Sequence, residues 1–263
     1  MKKFGRSFRV LLTAGFLPGL ALVALVGAAS ASAAHAPRTV ALTVSVKGSG
    51  TLHLADHSFT CRRVCSETFQ VPRGRRIVVR ASAAAGWKLT AWSGACKGSA
   101  ASCSLRLKRP GSAAVRFVPP GNRLNPYPIG TAVVTSQGWT VKVNSATLNA
   151  DSEVEAVHDQ PPPPAGEQYT VVNLTMTAPV DAGSYDLTDF LFFEQQMQGN
   201  FKYTPDACEP PQPDLGTVGQ VSSGTSVTGN LCYEIATNDA ATFMLTGFVE
   251  TGANDRLVWL ALH

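Results

Sequence analysis

The sequence predicts an all-β protein: a small disulfide-stapled β domain followed by an antiparallel β-sandwich. Short runs of apolar residues alternating with polar ones are separated by Gly, Pro, Ser and Asn, which is typical of strands joined by turns. No segment shows a sustained helical period. Six cysteines lie beyond the N-terminal leader of the 263-residue chain, and a small β core needs such staples.

The N-terminus has the pattern of an export signal, predicted over residues 1–33. A basic start precedes an apolar run over residues 10–26, and small residues close the segment. Pro18-Gly19 interrupts the apolar run, which favours a cleaved signal over an uncleaved anchor, the alternative considered. Cleavage after Ala31 or Ala33 fits the A-x-A rule. We therefore expect a secreted protein, extracellular or cell-wall associated, with no transmembrane segment after cleavage.

The charged residues divide the exported chain into two parts. Residues 38–118 carry 14 Lys and Arg against 2 Asp and Glu, a net charge of +12. Residues 123–263 carry 4 against 16, a net charge of −12. Between them, Pro119-Pro120 stiffens the chain and Gly121-Asn122 lets it turn. We predict a linker over 119–122 between a basic domain, 38–118, and an acidic domain, 123–263.

The cysteines predict disulfides, because their even number is exported into an oxidising compartment. Six cysteines allow 15 pairings in principle. Four precede the linker and two follow it, which removes most alternatives if the domains fold separately. We pair Cys61 with Cys65, Cys96 with Cys103, and Cys208 with Cys232.

Strands in the basic part place their cations outward. Thr39–Lys47 reads as the first strand, and Gly48-Ser49-Gly50 supplies a turn. In the segment 76–80, Ile77 and Val79 share one face and the flanking arginines the other. The segments 105–108 and 115–117 repeat this alternation. The pattern indicates a half-buried sheet with a cationic solvent face.

The basic part contains a series of short motifs: Val-Ser-Val-Lys-Gly-Ser-Gly-Thr at 44–51, Cys61-x-x-x-Cys65, Gly86-Trp87, Ala91-Trp-Ser-Gly-Ala-Cys96 and Cys103. The order of these motifs resembles the bacterial extracellular repeat domain (divergent InlB B-repeat-like). The resemblance implies a small extracellular β fold with the Trp-x-Gly segment inside and cysteine pairs that close neighbouring loops. It implies no catalytic residues. The strong positive charge departs from the neutral character of that family.

We predict that the basic domain binds an anionic cell-wall, lipid or host surface polymer, with strong salt dependence. An extracellular protein is the other partner class considered. Trp87 and Trp92 lie near arginines in the sequence and could stack on nucleic-acid bases. However, Trp92 is expected in the core, and export separates the protein from nucleic acids. We therefore expect no nucleic-acid partner. The predicted polyanion-binding residues are Arg62, Arg63, Arg73, Arg75, Arg76, Arg80, Arg106, Lys108 and Arg116.

The acidic part consists of short strands separated by turns. Its period-two strands, at sandwich-like intervals, are predicted at 139–143, 168–176, 225–235, 242–246 and 256–262. The distinctive motifs are Ile129-Gly130, the strand at 139–143, the segment 166–175, the Ser223-Gly224 turn, the 227–235 motif and the last strand around Trp259. In these motifs the acidic part resembles the secreted immunoglobulin-like domain of unknown function. It implies an immunoglobulin-like antiparallel β-sandwich with no defined activity.

The sequence favours neither zinc binding, nor calcium binding, nor catalysis. No cofactor is therefore predicted. Oxidation of the thiols argues against zinc on His53, His57, Cys61 and Cys65. Two sets of carboxylates are candidate calcium ligands, but neither has EF-hand spacing: Asp151, Glu153 and Glu155, or Asp181, Asp186 and Asp189. Catalysis would rest on the paired carboxylates Glu153 with Glu155 and Asp186 with Asp189, and hydrolase motifs are missing.

The expected function is therefore non-catalytic binding or adhesion. The alternative is a structural extracellular protein whose oppositely charged domains dock on each other, without a polyanion ligand.

Overall fold

Strands make up nearly all of the regular structure, so the all-β prediction is confirmed. The structure, a computed structural model, describes residues 38–55, 57–157, 160–180, 183–187, 203–205, 207–250 and 255–263. The signal predicted at 1–33 lies outside the described residues. Among the described residues, no helix is long and apolar enough to cross a membrane.

The first eight strands form two four-stranded sheets. One has the order β4-β1-β8-β6 and the other β3-β2-β5-β7. β1 pairs antiparallel with β4 and parallel with β8. The one half-buried sheet expected from sequence is thus two sheets, which share one core. The strands are β1 (Thr39–Lys47), β2 (Gly50–Leu54), β3 (His57–Cys61), β4 (Val64–Pro72), β5 (Arg76–Ala83), β6 (Lys88–Gly94), β7 (Ser102–Arg106) and β8 (Gly111–Val118).

This core is built from alternate residues of both sheets. Leu42 of β1, Leu52 of β2, Val79 of β5 and Phe117 of β8 are all buried in it. The chain approaches Phe117 closely at Gly50, where a Cβ would lie 2.5 Å from the ring carbon Cε2. The turn glycine predicted there is therefore required by packing as well as by the turn.

The second part is an antiparallel sandwich. The sheet β14-β11-β10-β9 shares a core with the pairs β12-β13 and β15-β16. Trp139, Tyr233 and Phe243 are among its largest buried side chains. The strands are β9 (Ala132–Val134), β10 (Thr140–Thr147), β11 (Glu167–Thr177), β12 (Ser184–Asp186), β13 (Gln220–Ser222), β14 (Ser226–Ala236), β15 (Met244–Glu250) and β16 (Asp255–Ala261).

Short helices in this part were not predicted. The helix α1 (Asp151–Glu155) has five residues, and 3-10 turns occupy Leu215–Thr217 and Thr237–Thr242. Elements this short show no helical period in a sequence. Val154 of α1 packs beside Cys208 and Cys232 in a small buried cluster, so β11 and β14 are covered on both faces near Val171 and Cys232.

Each predicted cysteine pair is a disulfide. The bonds Cys61–Cys65, Cys96–Cys103 and Cys208–Cys232 have Cα–Cα separations of 5.8, 5.8 and 5.4 Å. These separations are ordinary for disulfides. The first two tie turns of the basic part, and the third ties the proline-containing loop after residue 207 to β14.

The segment 119–122 is hydrogen-bonded rather than open. β8 ends at Val118, and the Trp259 amide donates to the Gly121 carbonyl at 3.0 Å. Just after the segment, the Asn125 side-chain amide donates to the Gly86 carbonyl of the basic part at 2.8 Å. The buried clusters of the two parts have no residue in common. The domain division at 119–122 stays a prediction.

Candidate anion-binding surface

Strand alternation places the cations of the basic part on the outside. In β5, Arg76 and Arg80 are exposed while Val79 between them is buried. In β8, Arg116 is exposed between buried Val115 and Phe117. All nine predicted polyanion-binding residues are exposed, as are the other five cations of residues 38–118.

Backbone hydrogen bonds gather seven of these cations at one end of the basic part. The Gly74 amide of the β4–β5 turn donates to the Leu107 carbonyl of the β7–β8 connection at 2.7 Å. The Arg73 amide donates to the Arg38 carbonyl before β1 at 3.0 Å. Gly74 has a φ of 71°, which favours glycine at this tight turn. We call this cluster the basic end: Arg38, Arg73, Arg75, Arg76, Arg106, Lys108 and Arg109.

Two arginines of the basic end face each other across neighbouring strands. Arg76 of β5 and Arg106 of β7 are direct partners in the antiparallel register. The Arg76 guanidinium donates from Nε and Nη2 to the Ser104 hydroxyl, at 3.3 and 3.1 Å. Ser104 thus orients the Arg76 side chain toward β7. Like charges directly opposite each other destabilise a sheet, so this pair is unfavourable for folding alone.

A surface depression of about 510 Å³ adjoins Arg106. The end of β6 forms one side through Gly94 and Ala95. The other side is formed by Arg106 at the end of β7 and by Lys108 and Arg109 of the β7–β8 connection. The Ala95 amide donates to the Ser112 carbonyl at 2.8 Å and joins the two sides. Three cations therefore line a concave site at the basic end.

Three predicted residues lie elsewhere, at the opposite end of β1. Arg62 and Arg63 form the β3–β4 turn, and the Gly48 amide donates to the Arg63 carbonyl. Arg116 is the parallel register partner of Lys47. β1 has nine residues, so the two ends are separated by roughly 26 Å. The predicted set is therefore two clusters rather than one site.

Arg80 lies between these ends on the outer face of β5. It is the register partner of His53 in β2. Both residues line a second open depression of about 640 Å³, together with Val78 and Ser82. With only one cation, this depression is less suited to an anion than the depression at the basic end.

The cations of the basic part have no carboxylate partners among the described residues. Arg76 donates to a neutral hydroxyl, and no ion pair joins any of the 14 to an acid. The sole described acid of this part is Glu67 in the middle of β4. The positive charge is left for solvent or for a ligand.

The structure places the alternative site residues apart or commits them to the fold. Cys61 and Cys65 form a disulfide, so their thiols are not ligands for zinc beside His53 and His57. Trp92 is buried and its Nε1 donates to the Ala100 carbonyl at 2.7 Å, so it is a core residue as expected. Trp87 is partly buried against the same core.

The described carboxylates considered for calcium or catalysis lie on two elements, α1 and β12. Asp151 accepts a hydrogen bond from the Tyr169 amide at 2.7 Å, which anchors α1 on β11. Glu153 and Glu155 lie on that helix, Asp186 lies in β12, and Asp181 and Asp189 lie outside the described residues. Within the described part of the chain, no group of three or more His, Cys, Asp or Glu is placed to hold a metal ion.

A carboxyl pair that was not predicted lies across β11 and β14. A hydrogen bond from Glu167, followed by burial and by the charge of Glu167, raises the pKa of Glu234. Burial raises the pKa of Tyr203 nearby, and its hydroxyl donates to Asp239 at 3.0 Å. Glu167 and Glu234 are diagonal neighbours in the strand register, a relation that local sequence patterns do not reveal.

Two solved structures are similar to this chain. One is a conserved hypothetical protein from Bacillus anthracis, at 12% identity and a TM-score of 0.31, covering 50% of this chain and 94% of that one. The other is an uncharacterised β-sandwich protein from Clostridium difficile, at 13% and 0.28, covering 52% and 95%. No protein-family model and no curated protein matches the chain. Both family resemblances stay predictions.

Proposed function

We propose that the protein is a secreted, non-catalytic binding or adhesion protein whose basic part contacts an anionic polymer at a cell-wall or host surface. One observation carries the proposal. All 14 cations of residues 38–118 are exposed, and none forms an ion pair within the described part of the chain. Three disulfides suit an oxidising compartment and therefore support secretion.

Physical chemistry favours a ligand for such a surface. Unpaired like charges repel one another and lower the stability of the compact state. A bound polyanion removes this repulsion and releases its own counterions, which makes the binding salt-dependent. Arginine supplies most of these cations, and its planar fork of N–H donors suits phosphate, sulfate and carboxylate groups.

The alternative function, electrostatic docking of the two parts on each other, has less support. Docking that satisfies the charges would bring arginines of the basic part against carboxylates of the acidic part. Among the residues described, no contact around 119–122 joins a cation of the basic part to a carboxylate, and Asn125 and Arg256 donate to backbone carbonyls instead. We therefore propose the polyanion ligand first.

Binding of labelled polyphosphate and dextran sulfate to the purified chain tests this function, with uncharged dextran as the control. We expect binding at low NaCl that weakens steeply as NaCl rises, and no binding of the uncharged polymer. Absence of binding to both polyphosphate and dextran sulfate at low salt would overturn the proposal.

A further inference from the structure

We propose that the depression between β6 and the β7–β8 connection, which Arg106 lines, binds one phosphate or sulfate group of the polymer, with Arg76 as the cross-strand neighbour of Arg106. The inference rests on the proposed function and assigns it to one of the two charged ends. Arg106, Lys108 and Arg109 line the depression, and Arg76 faces Arg106 across the strands.

The charges of this site conflict with folding. Arg76 and Arg106 are direct cross-strand partners and have no carboxylate beside them in the described chain. A cross-strand pair of like charges costs stability. Local conflicts of this kind are expected at functional sites, where a ligand relieves them.

The hydrogen-bond donors of this site come from several chain segments. Arg106 comes from the end of β7, while Lys108 and Arg109 come from the connection that bends back toward β8. Arg76 is held from β5 by its two hydrogen bonds to Ser104. Donors that approach from several directions suit an oxyanion with three or four oxygens better than a flat carboxylate.

The surface around this site suits a polymer better than a membrane. Proteins that lie in a membrane interface bury aromatic or large aliphatic side chains beside their basic residues. In the described portion of residues 38–118, the exposed large hydrophobic residues are Val64 and Val78. Val64 begins β4 at the opposite end, and Val78 lines the other depression. Neither residue lines the depression at the basic end, whose lining includes no exposed large hydrophobic residue.

Two double variants of the purified chain test the site. R106Q/R109Q removes two arginines that line the depression. R62Q/R63Q removes two exposed arginines from the β3–β4 turn, so its change in side chain and net charge is the same. The probes are labelled polyphosphate, dextran sulfate, polyglutamate, and vesicles of phosphatidylglycerol with phosphatidylcholine. Circular dichroism checks that each variant keeps its fold.

We expect R106Q/R109Q to weaken polyphosphate or dextran sulfate binding by about tenfold or more and to lower the salt slope by about two. R62Q/R63Q should weaken it by less than about threefold. The polymer that binds with the higher affinity identifies the bound group as phosphate or as sulfate. Polyglutamate and vesicles should bind more weakly than that polymer.

Equal losses in the two double variants would overturn the site while the polyanion-binding function stands. Tighter binding of polyglutamate or of vesicles by the wild-type chain would overturn the polymeric oxyanion as the ligand. No binding of the wild-type chain to either polyanion would remove the proposed function itself.

Discussion

Removal of the Cys208–Cys232 disulfide should destabilise the protein more than removal of either other bridge. The bond spans 24 residues, against 7 for Cys96–Cys103 and 4 for Cys61–Cys65. Loop-closure entropy gives about 3.5, 2.5 and 2 kcal/mol for the three. Both Cys208 and Cys232 are buried in the cluster beneath α1, so their loss also loosens packing there.

The proline-containing loop should stay partly restrained on β14 in the double variant C208A/C232A. The Asn230 amide donates to the Pro213 carbonyl at 2.7 Å, and its side chain donates to the Pro211 carbonyl at 2.8 Å. These bonds hold the proline-containing loop on β14 without the disulfide. We therefore expect a folded variant with a lower free energy of unfolding.

Urea unfolding followed by far-ultraviolet circular dichroism measures the three effects under non-reducing conditions. We expect C208A/C232A to lose about 1.5 kcal/mol more than C61A/C65A, with C96A/C103A between them. A loss in C208A/C232A no larger than in C61A/C65A would refute the loop-closure reasoning.

Three further predictions concern single residues. Glu234 has a raised pKa in the fold, so the stability it contributes is complete below its ordinary pKa of 4.5 and is lost as pH rises. E234Q should therefore exceed wild type in free energy of urea unfolding at pH 7, by less than about 1 kcal/mol, and match it at acidic pH. An equal gain at both pH values would contradict this. S104A removes the hydrogen bonds that hold the Arg76 side chain. It should weaken polyphosphate binding by about two- to fivefold with little change in the free energy of urea unfolding. Unchanged affinity would show that Ser104 is not a positioning residue. Gly94 has a φ of 77° and faces a backbone carbonyl, so G94A should cost about 2 kcal/mol or more in urea unfolding, whereas wild-type stability would show that the turn tolerates a Cβ.

Much of the fold is predictable because strand alternation is a local property. The first strand was predicted at Thr39–Lys47 and has those bounds. The outward arginines of β5 and β8 follow from the same period-two pattern. The cysteine pairs close short segments of chain, and the predicted pairs all form.

The arrangement of the candidate site was less predictable because strand pairing is not local. The parallel pairing of β1 with β8 puts Arg116 beside Lys47, away from Arg76. The contact of the β4–β5 turn with residue 107, and that of Arg73 with Arg38, join segments about 35 residues apart in sequence. Arg38 and Arg109 were counted as cations but not assigned to the site, since nothing local marks them.

The acidic part shows the same limit. Carboxylates close in sequence were the candidates, such as Glu153 with Glu155. The pair with the perturbed pKa is Glu167 with Glu234, which the β11–β14 register brings together. Only the pairing of these two strands could have revealed it.

The most direct test of polyanion binding at the basic end is a nuclear magnetic resonance titration of the arginine side-chain Nε–H signals. The titrant is polyphosphate, added to the purified chain at low salt. We predict the largest shifts at Arg76, Arg106 and Arg109, with smaller shifts at Arg62 and Arg63. Shifts of equal size at both ends of the basic part, or none at Arg106, would contradict the account.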